Sequence, residues 1–181
     1  LWNLVFIQNN RRKDGTLEDL PERHVDTGAG LERIAAVLQG KTNNYETDLF
    51  QPIIQKIESI SSSSFQDNLI AHQVIADHIR MLCFSIADGA LPSNEGRGYV
   101  LRRVLRRAAR FGRILGLHDP FLFKLVTTVS SVMGATFPEV VEKRTHIEKV
   151  IQAEEAAFNQ TLDRGLIHLD KITVATGDKE I

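Results

Sequence analysis

The chain has 181 residues, of which 43% are hydrophobic and 25% are charged, and its formal net charge is −1 at pH 7. These values are ordinary for a globular protein of one or two domains, and they give no overall attraction to nucleic acid. The single cysteine, Cys83, excludes an internal disulfide and a cysteine-cluster metal site. Neither a signal peptide nor an apolar run approaching the roughly 20 residues of a membrane span is visible, so we expect a cytoplasmic protein.

The N-terminal segment is expected to form a small β-structure. Residues 2–8 are apolar at both alternating positions, which predicts a strand inside a covered sheet. An Asp-Gly turn at residues 13–16 predicts a hairpin with a short second strand through residue 20. Residues 24–30 are then expected to form a loop leading into a helix that Gly40 ends. Because the chain starts without methionine inside an apolar run, we expect a fragment of a longer protein.

The remaining sequence has the apolar spacing of helices. We predict helices over residues 47–60, 69–87, 99–115, 121–133 and 139–172, with Gly165 as a point where the last one could be interrupted. The serine run at residues 61–64 is the best linker candidate and predicts a domain boundary. The expected fold is mainly α, with a β-containing part over residues 1–60 and a helical domain over residues 61–181.

The predicted helix at residues 99–115 lies in a strongly basic segment. Residues 93–118 contain seven arginines and one acid, Glu95, a local charge of +6 that leaves −7 for the rest of the chain. Arginines three or four positions apart repel one another unless an anion or carboxylates compensate. RNA phosphate is one candidate, and acids of the predicted long helix, such as Glu154, are the other. The pattern therefore leaves open an RNA-binding face and a structural helix with internally paired arginines.

The stretch from Val25 to Arg33 reads Val-Asp-Thr-Gly-Ala-Gly-Leu-Glu-Arg. Glycines before a helix let the backbone approach a ligand and leave amides pointing outward. Asp26 could bind a cation such as a substrate ammonium, and Arg33 could bind phosphate or stack on a base. The same residues could instead form a capped turn with a solvated arginine.

Four blocks of this sequence resemble, in order, the alanyl-tRNA synthetase family of class II aminoacyl-tRNA synthetases. They are residues 1–11, residues 25–35 with a turn similar to motif 3, residues 74–80 (Val-Ile-Ala-Asp-His-Ile-Arg) and residues 87–103 around Leu-Pro-Ser-Asn-Glu-Gly-Arg-Gly-Tyr. The resemblance weakens over residues 59–68 and after about residue 118. It implies that residues 1–60 are the end of a catalytic domain built on an antiparallel sheet, and that residues 61–181 are a helical tRNA-recognition domain.

The resemblance also implies site residues. Alanine would be bound by Asn3, Asp26 and Gly28, and ATP by Gly28, Gly30 and Arg33. The acceptor stem of alanine tRNA would be contacted by Asn94, Arg97, Arg102, Arg103, Arg106, Arg107 and Arg110. Asn94 would lie at the G·U pair, whose exposed guanine amino group is a target for an acceptor.

The family uses ATP with Mg²⁺, and no metal ligand or catalytic residue is expected in this chain. The earlier class II motifs, including the arginine that contacts the reacting α-phosphate, are not matched. We therefore expect the chain alone to hold no ATP or Mg²⁺ and to show no alanine-dependent pyrophosphate exchange. A helical RNA-binding module without catalytic function is a further alternative.

Overall fold

The computed structural model describes residues 2–176. The chain forms two compact units, Leu1–Asp48 and Leu49–Ile181. The boundary expected at residues 60 and 61 thus lies inside the second unit. The assignment of a catalytic and a tRNA-recognition function to the two predicted domains stays a prediction.

The first unit begins with a β-hairpin. Strand β1 (Trp2–Arg11) pairs antiparallel with strand β2 (Leu17–Ala29), with an irregularity in register between Ile7 and Asn9. In the turn, Gly15 adopts a φ of 88°, and the Asp14 carboxylate accepts hydrogen bonds from the backbone N–H and the hydroxyl of Thr16. The expected second strand is therefore longer than predicted. It includes residues 24–29, so the expected loop there was wrong.

The two faces of the hairpin differ in character. Trp2, Leu4 and Phe6 share one face with Val25, and each of these side chains is more than half exposed. The other face carries Val5 and Ile7, which are 40% and 39% exposed, together with polar groups. The prediction of a covered sheet was wrong for the described residues, because neither face is buried in this structure.

Helix α1 (Leu31–Leu38) follows β2 directly, with Gly30 as its N-cap residue. It ends as predicted at Gly40, whose φ of 63° lies in the left-handed region that glycine adopts without a steric penalty. A single 3-10 turn (Asn44–Glu46) begins with the Asn43 side chain accepting a hydrogen bond from the Tyr45 backbone N–H. This turn lies between α1 and the next helix.

The second unit is helical. Its elements are α2 (Gln51–Ser61), α3 (Leu69–Ala87), α4 (Gly96–Ile114), α5 (Phe123–Met133), α6 (Pro138–Glu142) and α7 (Arg144–Thr176). The predicted bounds of α3 are correct, and the other helices differ at their ends. The single helix predicted over residues 139–172 was wrong, because α6 ends at Glu142 and α7 begins at Arg144. α7 continues through Gly165 without interruption. The predicted mainly α class is confirmed.

Helix α3 is the central core helix of this unit. It packs against α2, α4, α5, α6 and α7, and Ile75, Ile79, Leu82 and Cys83 are fully buried. Burial raises the pKa of the Cys83 thiol to about 12, so this cysteine is an inert thiol of the core. By length and composition α3 could also cross a membrane, with 44% of its most apolar window buried.

The serine run after α2 is a packed connection. Ser62 ends α2 with a φ of 55°, and its backbone N–H donates to the Glu58 carbonyl. The Glu58 side chain accepts a hydrogen bond from the backbone N–H of Phe65, which is 8% exposed. The carbonyl of Ser63 lies 3.1 Å from Nε2 of the buried His72. These contacts tie α2 to α3, which explains why the run does not separate two units.

Candidate functional site

The hairpin places the predicted alanine-binding residues on one face. Asn3 pairs with Gly28, and Val5 pairs with Asp26. Directly paired residues of an antiparallel ladder share a face, and so do positions two apart on one strand. Asn3, Asp26 and Gly28 therefore share a face, although they come from two strands separated by more than 20 residues in sequence. Asn3 and Asp26 are both exposed, so each polar group is available to a ligand.

Two glycines shape the space beside these side chains. A Cβ at Gly28 would meet no atom within 4 Å, so the strand leaves open space opposite Asn3. Gly30 is the N-cap of α1, and no side chain caps this end of the helix. The first-turn amides of α1 are consequently available to an anion.

Arg33 lies one turn into α1 and is exposed. Its side chain lies against Gly30, where an added Cβ would be 3.4 Å from its Cγ and Cδ atoms. The structure thus brings Gly30 and Arg33 together, as the predicted ATP-binding set requires. The set suits phosphate and a flat base better than a metal ion, since Arg33 is a planar cation and the two glycines have no side-chain ligand. Within the described part of the chain, no group of three or more His, Cys, Asp and Glu could hold a metal.

A second group of predicted residues lies in the helical unit, beginning with the loop before α4. Ser93 donates from its hydroxyl to the Glu95 carbonyl, and its backbone N–H donates to the Gly98 carbonyl. A Cβ at Gly98 would lie 2.2 Å from the Ser93 hydroxyl oxygen and 2.4 Å from the Leu91 carbonyl oxygen. Only glycine allows this close approach. The loop is thereby held against the first turn of α4, with Asn94 exposed at its surface.

Three arginines of α4 are paired with acids of α7. The Nε atom of Arg102 lies 2.9 Å from Oε1 of Glu154, and Arg106 contacts the same oxygen at 3.3 Å. Farther along, Arg113 pairs with Asp163 at 2.7 Å. Glu154 had been considered as such a partner, whereas Asp163 had not. The alternative of internally paired arginines is therefore correct for these three side chains.

The other predicted arginines carry no ion pair within the described residues. Arg97, Arg103, Arg107 and Arg110 are exposed. Arg103 and Arg107 lie over the rings of Tyr99 and Phe111, at 5.8 Å and 5.9 Å from the ring centres. Such stacking orders a guanidinium without neutralising its charge.

Two of the exposed arginines, Arg103 and Arg107, border a surface cleft. The cleft has a volume of about 420 Å³ and is lined by His78, Val100, Arg103, Val104, Arg106 and Arg107. Since Arg103 and Arg107 are one turn apart, their positive charges meet at this surface. Such a surface attracts a polyanion such as RNA.

Glu155 is a residue that sequence reasoning did not resolve. It follows Glu154 in α7, but its side chain is fully buried and contacts the segment before α5 and not the arginines. Its Oε2 atom accepts hydrogen bonds from the backbone N–H groups of Phe121 and Leu122, at 3.1 Å and 3.0 Å. Burial raises the pKa of this carboxyl to about 7, and the two backbone hydrogen bonds oppose that rise. Glu155 therefore anchors the start of α5.

His72 and His78 of α3 have separate surroundings. His72 is buried, with Nδ1 3.0 Å from the Asn68 carbonyl and the ring edge-on to Phe65. His78 contacts the carboxylate of Asp77 at 3.1 Å, and this contact lowers the pKa of Asp77. His72 serves helix packing, and His78 is part of the cleft surface.

A family model described as tRNA synthetases class II (A) matches residues 1–181 of the chain. The chain is 54% identical over 175 residues to an alanine–tRNA ligase of Magnetococcus marinus, which covers 94% of this chain. It is 56% identical over 171 residues to that of Chlorobium chlorochromatii and 50% identical over 175 residues to that of Listeria innocua, covering 92% and 95% of this chain. The chain spans about one fifth of the length of these curated relatives, namely 20%, 19% and 20%.

Proposed function

The chain belongs to the class II tRNA synthetase (A) family, and from that membership we propose that it is part of an alanine–tRNA ligase. In this proposal, it supplies the end of the aminoacylation site and part of the surface that recognises the acceptor stem. The full protein activates alanine with ATP and transfers it to alanine tRNA in the cytoplasm. The observation that carries the proposal is the shared face of Asn3, Asp26 and Gly28, followed directly by Gly30 and Arg33.

The hairpin face fits alanine by charge and size. The Asp26 carboxylate attracts the substrate ammonium group, and the Asn3 amide supplies a donor and an acceptor for the rest of the amino acid. Gly28 leaves the space that a side chain would fill. Because the side chain of alanine is a single methyl group, the site discriminates by excluding larger side chains. Each additional methylene changes the binding free energy by roughly 1–3 kcal/mol.

The start of α1 fits the nucleotide. Uncapped first-turn amides favour negative charge, and the Arg33 guanidinium adds a planar cation for phosphate or for the adenine ring. When bound, Mg²⁺ would neutralise charge on the phosphates. The described residues offer no cluster to hold it alone, so the contribution of this chain is positioning and charge stabilisation.

Kinetics of a full-length ligase carrying this sequence test the hairpin site. We expect Asp26→Asn to raise KM for alanine far more than KM for ATP, and Arg33→Ala to do the reverse, in pyrophosphate exchange. Glu18→Gln, in the same hairpin but paired with Arg12 at 2.7 Å, is the matched control and should change neither constant. Equal effects of Asp26→Asn and Glu18→Gln would reject the proposed substrate site.

The basic surface of α4 fits the phosphates of an RNA stem. Its exposed arginines form no salt bridge among the described residues, so RNA would gain their charge without first breaking one, although the charge of Arg107 also acts on Asp77. Phosphate contacts position an RNA, whereas base-edge contacts specify it. We assign positioning to Arg97, Arg103, Arg107 and Arg110, and base reading to Asn94. Arg102 and Arg106 act through their contacts with Glu154.

A salt titration of binding to an alanine-tRNA acceptor-stem hairpin tests this surface. Arg103→Gln and Arg107→Gln should each weaken binding and reduce the slope of log K against log salt by about 1. Arg113→Gln should leave the slope unchanged, because Asp163 already holds that guanidinium. Absent or salt-insensitive binding would favour the structural helical domain, and equal binding of unrelated RNAs would favour the non-catalytic RNA-binding module.

A further inference from the structure

We propose that Arg102 is a positioning residue that fixes which end of the Asn94 amide faces RNA, so that Asn94 reads an acceptor on the RNA. The inference rests on the proposed contact of Asn94 with the acceptor stem. It adds a role for Arg102 and Glu154 and a definite polarity for the contact.

The guanidinium of Arg102 is held along one edge by Glu154 of α7. Nη2 of Arg102 donates to Oε2 of Glu154 at 3.1 Å, and Nε lies 2.9 Å from Oε1 as an ion-pair contact. Both side chains are largely buried, at 20% and 13% exposed. Nε makes no hydrogen bond, but its ion-pair contact and the hydrogen bond from Nη2 both lie on the same edge of the guanidinium, so this edge faces Glu154. Glu154 therefore sets the direction of the remaining amino group, Nη1.

Nη1 of Arg102 donates a hydrogen bond to Oδ1 of Asn94. Arginine has donors only, so the atom of Asn94 that faces it must be the amide oxygen. Exchanging the oxygen and nitrogen of the amide would place two donors against each other. The polarity of Asn94 thus follows from the chemistry of its partner.

The backbone of the loop that carries Asn94 is held against the first turn of α4. Ser93 and Gly98 hold the loop on both sides of Asn94, and a Cβ at Gly98 would collide with Ser93. The Nδ2 group of Asn94 makes no hydrogen bond within residues 2–176 and is exposed. Asn94 therefore presents two N–H donors outward.

This polarity determines the chemical class of the group that is read. Donors of Asn94 match an acceptor in the shallow groove of an RNA helix, such as a base ring nitrogen, a pyrimidine carbonyl or a ribose 2′-oxygen. They do not match the guanine amino group of a G·U pair, which is itself a donor. The target expected from sequence is therefore replaced by an acceptor on or beside the pair.

Binding of acceptor-stem hairpins to the chain, measured by fluorescence anisotropy, tests the role of Arg102. Asn94→Ala should weaken binding to a G·U hairpin roughly 2- to 10-fold, as expected for one lost hydrogen bond. Arg102→Lys, which keeps the charge but cannot contact Glu154 and Asn94 together, should weaken it similarly. The double variant should bind no more weakly than either single variant. Additive losses would overturn the proposal.

A hairpin with inosine in place of the guanine tests the polarity, because inosine lacks the amino group and keeps the wobble geometry. We expect Asn94→Ala to weaken binding to the inosine hairpin by the same factor as to the G·U hairpin. Loss of the Asn94 effect with inosine would show that the amide oxygen reads the amino group, and would overturn the assigned polarity.

A measurement without RNA separates this inference from the proposed function. The side-chain NH2 resonances of Asn94 should shift in Arg102→Lys and in Glu154→Gln, and should not shift in Arg113→Lys, whose ion pair also joins α4 to α7. Unshifted resonances in Arg102→Lys would overturn the positioning role even if RNA binds. Shifted resonances in a chain that binds no hairpin would support the Arg102–Asn94 contact and reject the tRNA function.

Discussion

Single acidic residues of α7 decide how the neighbouring helices are held. Glu154 binds two arginines of α4, and Asp163 binds a third. Glu155, the next residue after Glu154, instead accepts two backbone hydrogen bonds at the start of α5. Adjacent helical positions point about 100° apart, so consecutive glutamates serve different neighbours. Their roles differ because Glu154 is paired with cations, whereas Glu155 is buried and bound by backbone N–H groups.

The raised pKa of Glu155 gives a testable pH dependence. The carboxyl titrates at about 7 in the folded chain and near 4.5 when unfolded. Between these values the folded state keeps a proton that the unfolded state has lost, so stability falls as pH rises through this window. Integrated over the window, the contribution is roughly 3 kcal/mol.

Urea unfolding of the wild type and Glu155→Gln from pH 4.5 to 8 measures this contribution. We expect the wild type to lose stability relative to the variant across this range, because glutamine keeps an acceptor oxygen and carries no titrating proton. Parallel pH profiles for the two proteins would show that Glu155 is not the titrating group.

At the scale of elements, α4 has two basic sides that differ in their contacts. The side facing α7 places its guanidiniums on carboxylates, and the side formed by Arg103 and Arg107 is exposed. Its third side is apolar and buried, with Leu101, Leu105 and Ala108 in the core. Repulsion between arginines one turn apart is thus offset by salt bridges on one side, whereas no salt bridge among the described residues offsets it on the other.

Close packing of α4 depends on a glycine near its C-terminal end. A Cβ at Gly112 would lie 2.2 Å and 2.5 Å from two ring atoms of Phe121, which is itself 2% exposed. We expect Gly112→Ala to lower the free energy of unfolding by about 1–3 kcal/mol, the usual cost of overpacking a core. Urea denaturation measures the change.

Gly165→Ala in α7 is the matched control for Gly112→Ala. Nothing lies within 4 Å of a Cβ at Gly165, and alanine is favoured over glycine in a helix by up to about 1 kcal/mol. This variant should not lower stability. If both substitutions change the free energy of unfolding equally, the contact with Phe121 does not determine the cost of a side chain at position 112.

At the scale of the whole molecule, the two compact units differ in what holds them. The helical unit has a continuous core that includes Ile53, Ile57, Ile79, Leu105 and Leu125, each fully buried. In the hairpin unit, β1 and β2 are joined by backbone hydrogen bonds and leave their apolar side chains exposed. Since burial of apolar surface dominates folding free energy, the helical unit should fold by itself.

Expression of residues 49–181 alone tests this difference. We expect a cooperative thermal transition, followed by circular dichroism at 222 nm, with a midpoint within a few degrees of that of the whole chain. A broad or absent transition would show that residues 1–48 supply stability to the helical unit. A chain beginning at residue 61 is the comparison, because it lacks α2 and with it the buried Ile53, Ile54 and Ile57.

The sequence by itself determined the class of fold, the bounds of α3 and the stop at Gly40, because apolar periodicity and a residue in the left-handed region are local signals. Sequence likewise picked out Asp26, Gly28 and Arg33 as a candidate site. The second strand was missed past residue 20, because strand pairing depends on a partner remote in sequence. That pairing is what places Asn3 on the face of Asp26 and Gly28.

Tertiary structure alone decided which arginines are available to a ligand. The repeated Arg-Arg pairs of α4 look equivalent in sequence, yet Arg102 and Arg106 face Glu154 whereas Arg103 and Arg107 face outward. The tertiary structure also places the boundary between the two units before α2 and not at the serine run, since α2 buries its isoleucines in the helical core. Charge pairing and burial depend on residues that folding brings close together, and a local sequence pattern does not identify those residues.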